Sequence, residues 1–460
     1  MERIDGVDVG KNVWDRIGKH NGIIHMVLIA TKPDIIKQFP LIDELKRQKE
    51  FVLVVHSGQH YDWNLSGGME KEFGITPDFN LNVRGSLYEQ QAQIIQRLGS
   101  VLAVMHKMKK KVIPYTYGDT TTAVAGGIAS YLNKYAAGHV EAGLRTMTPP
   151  KEAFFDILKN DFDVEAYYEK LKSGDGWKKG SYEPFPEQFD TRAAAPSAGI
   201  HFAPTELNRK HLLDEGYSEK RIFVVGNPVA DALRFAEKHV KDSTIFERFP
   251  QLEADNLVRF CIHRRENVSN LHRFKSLYKA MVSLVEANKT VLLISLGATE
   301  RALQEFNLKK NVEQLAGKHK NFVYSPVWPL YTDVVAAMRK CRAVATDSGS
   351  IQEETNTLGV PGVVLRFNSD RPESVFCGSN TIAPPMKADV VAKIIREVMD
   401  NDSLNKKMRA SQKLYGVDVS KKTVDIVKKV TNRENLFELF EHEQLGLDKE
   451  PFWEKGQADW

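Results

Sequence analysis

Residues 343–359 read AVATDSGSIQEETNTLG: an apolar strand runs into a turn of small residues and reopens as a helix. The turn residues Ser348, Gly349 and Ser350 would offer unhindered backbone N–H groups and hydroxyls at a helix N-terminus, a ready anion site. Glu353 and Glu354 fall in the first helical turn. They read either as ordinary acids favoured by the helix dipole or as a carboxylate within reach of a ribose diol. The same pattern recurs in IIHMVLIA (23–30), FVLVVHSG (51–58), VIPYTYGD (112–119), LVRFCIH (257–263), VLLISLG (291–297) and FVYSPVW (322–328). Amphipathic stretches of helical period lie between these runs. Apolar strands alternating with helices imply parallel sheets covered on both faces. The fold class is therefore α/β, with two doubly wound, Rossmann-like domains over 21–210 and 220–400 facing each other across a cleft. Residues 1–20 read as an N-terminal extension, and 401–460 as a helical tail packing back on the N-terminal domain. Residues 147–183, MTPPKEAFFDILKNDFDVEAYYEKLKSGDGWKKGSYE, break the rhythm. They read as an ordered insertion in the N-terminal domain, either a surface excursion or a contact arm beside a site.

The 460 residues carry 64 Lys+Arg against 60 Asp+Glu, a net charge of +4. So small a balance argues against a chain devoted to a nucleic-acid backbone or an anionic membrane, while leaving room for a local anion site. Three widely spaced cysteines, Cys261, Cys341 and Cys377, make neither a disulfide framework nor a thiolate zinc cluster. They fit a reducing cytoplasm. The opening stretch is polar, without the apolar core of a signal peptide, and no apolar run is long enough to span a bilayer. No cofactor fingerprint appears: GxGxxG is absent after the first strand, and Gly6–Asn12 falls one residue short of a phosphate loop. His56 and His60 in HSGQH have a helical zinc spacing, but Gly58 between them marks a turn, so no metal site is expected.

Open α/β sheets bind ligands at the carboxyl ends of their strands. FCIHRRENVSN puts His263, Arg264 and Arg265 at one such end. That cluster suits a diphosphate, with arginine for two-pronged contact and histidine as a tunable donor; the alternative is a cationic surface loop. RFNSDRPESV adds Arg371 and Glu373 on a third loop of the same block. In the first block Asp119 ends VIPYTYGD ahead of three threonines, as a helix cap or as a site acid. Glu141 follows a short apolar segment in AAGHVEAGLRT, an odd place for a structural carboxylate. PFPEQFDTR supplies Glu187, Asp190 and Arg192. Acids grouped opposite a phosphate pocket suit proton transfer at carbon, because shared burial drives carboxylate pKa values apart.

Taken in order, TKPDIIK, HSGQH, GDTTT, HVEAGLRT, HFAPTE, VGNPVADAL, HRREN and TDSGSIQEE with RPE carry a resemblance. Over most of residues 23–400 the chain resembles the non-hydrolysing UDP-N-acetylglucosamine 2-epimerases. The resemblance implies a glycosyltransferase-B-like pair of domains, a UDP-sugar substrate, no cofactor, a homodimer and a cytoplasmic location. It implies catalytic roles for Asp119, Glu141 and Glu187, and for His263 beside the diphosphate. It places substrate contacts at Lys32, His56, Gln59, His263, Arg264, Ser348, Gly349, Ser350, Glu354 and Arg371. In the implied reaction the C2 proton is removed as UDP leaves C1, giving a 2-acetamidoglucal. Proton return on the other face and re-addition of UDP then give UDP-N-acetylmannosamine. The chain departs from the family pattern where the arginine expected at Thr191 is displaced to Arg192, which takes its catalytic place. Ile262 and Ser350 stand where the pattern has glycines. Three other readings use the same cleft: a hydrolysing epimerase releasing N-acetylmannosamine, a UDP-sugar glycosyltransferase, and a UDP-sugar binder without chemistry.

Overall fold

The structure, a computed structural model, describes residues 4–58 and 67–432. Strands β1 (Asp8–Val9), β2 (Ile23–Ile29), β3 (Phe51–His56), β4 (Phe79–Asn80), β5 (Lys111–Tyr117) and β6 (Ala137–Val140) build most of the first sheet. A small antiparallel pair, β7 (Met147–Thr148) with β8 (Lys178–Lys179), intervenes before β9 (Ala198–Ala203) and β10 (Ile222–Val224) complete it. The order is β1-β4-β3-β2-β5-β6-β9-β10, parallel except for β1 at the edge. The second sheet comprises β11 (Leu257–Cys261), β12 (Thr290–Ser295), β13 (Phe322–Pro326), β14 (Ala343–Thr346), β15 (Gly362–Val364) and β16 (Asn380–Ile382). It is wholly parallel, in the order β13-β12-β11-β14-β15-β16.

Both sheets start in the middle and wind outward, as the alternating apolar runs imply. The winding reverses between β2 and β5 in one sheet and between β11 and β14 in the other. At such reversals the loops leave on opposite sides of the sheet and open a crevice. Ile24–Ile29 and Leu257–Cys261 are buried along their whole length, which is why their sequences show no alternation.

Residues 4–20 form part of the first sheet's packing: β1 pairs with β4, and Val13 and Ile17 of the helix Val13–Lys19 enter its core. The 147–183 insertion lies within the first domain in sequence but packs on the second sheet in space. Its helix Val164–Lys172 lines up Val164, Tyr167, Tyr168 and Leu171 on one buried face. That face joins the core of Val375, Ile382 and Ile395, because an apolar stripe on a short helix is stable only when covered. From the tail, the helix Val419–Asn432 returns to the first sheet, where Val424 and Val427 join Ile42 and Leu45 of the helix Lys32–Arg47. Residues 433–460 of the tail lie outside the described residues. Among the described residues no helix is long and apolar enough to cross a membrane.

Candidate active site

The helix Lys32–Arg47 starts at the carboxyl end of β2. Thr31 caps it in a reciprocal box with Asp34, whose carboxylate accepts the Thr31 N–H at 3.0 Å. One turn on, Lys37 is buried, and its Nζ donates to Glu141 at 2.7 Å and to Glu353. Glu141 follows β6 with φ 63°. That left-handed backbone costs about 1 kcal/mol and persists where the surroundings over-determine it. Gly118, at the end of β5, makes room for it, since a Cβ there would lie 2.6 Å from Glu141 Oε2. Asn227, beyond β10, bridges Glu141 and Glu353 at 2.6 and 3.0 Å. Arg371 completes the cluster: Nε donates to Glu353, Nη2 lies 3.3 Å from Glu141, and Nη1 lies 3.9 Å from Asp119. Glu353 and Arg371 come from the second sheet and the rest from the first. The polar centre therefore spans the cleft.

Burial disfavours charge on Glu141, but Lys37 and Arg371 outweigh it and hold the carboxyl well below the usual carboxylate range. Burial pushes Asp119 up to about 6 despite Arg371 beside it, and Glu141 and Glu187 add to the rise. One acid is ionised and the other titrates near neutrality, the division that acid–base chemistry uses. Asp119 has no capping duty. Thr120 caps the helix Thr121–Leu132, its Oγ1 accepting the Ala123 N–H at 3.2 Å.

At the reversal of the second sheet, β11 leads to His263 and Arg264, and β14 leads to Asp347 and Ser348. Asp347 accepts the backbone N–H groups of His263 and Arg264 and the Asn267 amide, each at 3.0 Å. It also lies 3.1 Å from His263 Nδ1. Burial opposes charge on the imidazole, yet Asp347, with Cys261 assisting, pushes its pKa up to about 10. His263 is a cation at neutral pH. Cys261, His263 and Asp347 bring ligand atoms within 4.8 Å of one another, the spacing of a cation site among the described residues. Those atoms are engaged with each other and with the backbone, which orients the ring. Ser348 and Gly349 open the helix Gly349–Leu358 alongside, and a Cβ on Gly349 would lie 2.7 Å from Asp370 and 3.2 Å from Arg371. Cations beside a helix N-terminus suit a diphosphate. Arg264 reaches across the cleft to Glu187.

A family profile described as UDP-N-acetylglucosamine 2-epimerase matches residues 43–155 and 179–428. This chain belongs to that family. It is 29% identical to the Methanocaldococcus jannaschii UDP-N-acetylglucosamine 2-epimerase over 82% of this chain and 93% of that protein. Against the Bacillus subtilis protein of the same name it is 29% identical, over 87% of this chain and 93% of the relative. The M. jannaschii structure in complex with UDP-GlcNAc and UDP gives a TM-score of 0.72 at 28% identity, covering 89% of this chain and 100% of that one. The Neisseria meningitidis UDP-GlcNAc 2-epimerase bound to UDP-GlcNAc gives 0.71 at 26% identity, with the same coverage of 89% and 100%.

The epimerase-family cleft gathers Asp119, Glu141, Glu187, His263, Arg264, Ser348, Gly349 and Arg371 from the expected set, with Ser350 half-buried after Gly349. Lys32 Nζ crosses the cleft to the Trp328 carbonyl at 3.0 Å. Glu354 faces Arg259, Lys37 and Tyr331, while the adjacent Glu353 bonds Lys37, Asn227 and Arg371. Two expected residues lie elsewhere. His56 stays among the first sheet's own loops, 3.3 Å from Glu70, with Nδ1 accepting the Gly58 N–H at 2.9 Å. Arg192 is exposed on the helix Glu187–Ala194. At 100° per residue, five positions beyond Glu187 put it about 140° away from the cleft. Asp190, one turn from Glu187, shares the buried side instead. Thr121 Oγ1 donates to it at 3.2 Å, and burial pushes its pKa up to about 7. Gln59 lies outside the described residues. Sequence reasoning passed over Lys37, Asn227 and Asp347 as site residues. Lys37 carried a usable signal, since a lysine between Ile36 and Phe39 on a buried helix face is unfavourable unless paired.

Proposed function

We propose that this chain interconverts UDP-N-acetylglucosamine and UDP-N-acetylmannosamine, or a related pair of UDP-2-acetamido sugars. The observation that carries this reading is the meeting of Asp119 and Glu141 with Arg371, Arg264 and His263 in one cleft, in a chain of this family. A C2 hydrogen is only weakly acidic, so a fixed carboxylate must take it while cations draw off the diphosphate. The C2–H bond breaks toward a carboxylate as the C1–O bond breaks toward UDP, leaving the glycal and UDP in the cleft. A proton delivered to the opposite face of C2 and UDP re-added at C1 give the manno product. Asp119 and Glu141 are the proton-transfer carboxylates in this scheme, and Glu187 faces them from its pair with Arg264. His263, Arg264 and the Ser348–Gly349 turn hold the diphosphate. The same reading carries a cytoplasmic homodimer, and light scattering measures its mass.

The test is incubation with UDP-N-acetylglucosamine in D2O, followed by NMR. Deuterium at C2 and a UDP-linked manno product are expected. Free N-acetylmannosamine alongside UDP would mean hydrolysis instead. Absence of C2 exchange on any UDP-2-acetamido sugar would overturn the reading in favour of a transferase or a binder.

A further inference from the structure

The family profile skips residues 156–178, yet that stretch is built into the second sheet's core. Its helix Val164–Lys172 is pinned around the rim as well. Lys393 Nζ donates to Phe162 O at 2.6 Å, and Lys407 meets Glu169 at 2.5 Å. The arm holds one segment in particular, residues 369–378, which carries Arg371. At one end Met147 and Ser369 exchange backbone hydrogen bonds of 2.9 and 3.0 Å. Ser369 Oγ then accepts the Arg371 N–H at 2.9 Å and donates to Gln352 at 2.6 Å. At the other end Tyr168 Oη donates to Gly378 O at 2.9 Å. Gly378 has φ 85°, and a Cβ there would stand 2.3 Å from Tyr168 Oη, so turn and tyrosine fit as a pair. Between the two ends Trp177 packs edge-on against Phe376 at 5.0 Å. The helix Pro372–Phe376, which follows directly on Arg371, is thus held at both ends while the guanidinium projects into the cleft.

We propose that Tyr168 is a positioning residue for the epimerisation, setting the Arg371 guanidinium against Glu141 and Asp119 through the 369–378 segment. The inference rests on reading that cleft as the epimerase active site. Core packing requires Val164 and Leu171, but it does not require a hydroxyl bonded to the Gly378 carbonyl. The neighbouring Tyr167 provides a control, because its hydroxyl is buried without a hydrogen-bond partner and its loss takes no bond from the segment. Asp119 faces Arg371 and Arg264 as cations, and Glu141, Glu187, Asp34 and Asp190 as acids. Loosening Arg371 removes the larger favourable charge, so the acidic limb of kcat moves to higher pH.

The experiment compares Tyr168→Phe with Tyr167→Phe in the full chain by turnover of UDP-N-acetylglucosamine, pH profile and thermal unfolding. Tyr168→Phe is expected to lose roughly ten-fold in kcat with KM within about two-fold, since His263, Arg264 and Ser348 hold the diphosphate on other loops. Its acidic limb shifts upward, whereas Tyr167→Phe leaves rate and limb in place. Trp177→Phe, which keeps an aromatic ring on Phe376, is expected to show the same split with a smaller loss. Tyr168→Phe that melts earlier yet keeps kcat and limb would overturn the proposal and leave the arm as packing alone. A wild type that exchanges no C2 hydrogen would overturn the active-site reading and this proposal together. A wild type that exchanges, beside an unaltered Tyr168→Phe, overturns this proposal only.

Discussion

Lys37, Arg371, Glu141 and Glu353 are each at most 2% exposed, so two cations and two carboxylates depend on one another for solvation. Removing one partner of such a set leaves an uncompensated buried charge, and Lys37→Met is expected to cost about 3–5 kcal/mol in urea unfolding. Glu141→Gln is expected to abolish C2 exchange while UDP affinity, measured by calorimetry, changes little, because the proposed diphosphate contacts lie on the second sheet. Persisting exchange would make Glu141 a structural carboxylate. Asp119 must be ionised to accept a proton, so kcat is expected to rise through about pH 6. On the proposed reading His263 holds the diphosphate as a cation, so kcat/KM is expected to fall through about pH 10. The stability signs differ between the two acids. Asp119 has a raised pKa, so its ionisation opposes folding above the ordinary value of 3.8, and this cost fades as pH falls below about 6. Glu141 has a depressed pKa; its stabilisation is present above 4.5 and lost as pH falls through the folded value. Asp119→Asn is therefore expected to raise the melting temperature more at about pH 7.5 than at about pH 4 while ending exchange.

Among the elements, the helix Gly349–Leu358 begins where only a residue without a Cβ fits beside Asp370 and Arg371. Gly349→Ala would press a Cβ to 2.7 Å from Asp370. It is expected to weaken UDP binding by about ten-fold, or ~1.4 kcal/mol in titration calorimetry. The helix Val164–Lys172 was legible as an ordered amphipathic piece from Val164, Tyr167, Tyr168 and Leu171. Which sheet would cover that stripe was not legible, since any apolar flank satisfies the pattern. Leu171→Ala is expected to destabilise the protein by about 2–4 kcal/mol, as for a buried core leucine, whereas a surface excursion would tolerate it. The strands were legible throughout, because doubly covered strands are continuous apolar runs. Arg192 shows the limit of motif matching on a helix, where a shift of one residue from Thr191 turns a guanidinium out into solvent.

Across the whole molecule, the two sheets are tied by groups that each contributes to the other. Glu72, on the first sheet's side, accepts the N–H groups of Tyr331 at 2.6 Å and Thr332 at 2.9 Å. It thereby caps the helix Tyr331–Lys340 of the second sheet. Glu72→Ala is expected to increase the radius of gyration in small-angle scattering, while Glu44→Ala, which breaks its local bonds from Arg47 and Gln48 at the end of one helix, leaves it unchanged. The net charge of +4 now has a distribution, with cations gathered at one cleft and carboxylates set against them. The sequence by itself determined the α/β class, the two winding blocks and the family. Strand periodicity and strand-end loops are encoded by neighbouring residues, so they can be read locally. Only the tertiary structure decided that Lys37 meets Glu353, 316 positions away, that Glu353 rather than Glu354 bonds Arg371, and that Tyr168 of the 147–183 arm bonds Gly378 of the second domain. Those choices follow from which faces are buried against which, and burial belongs to the assembled fold rather than to any stretch of chain.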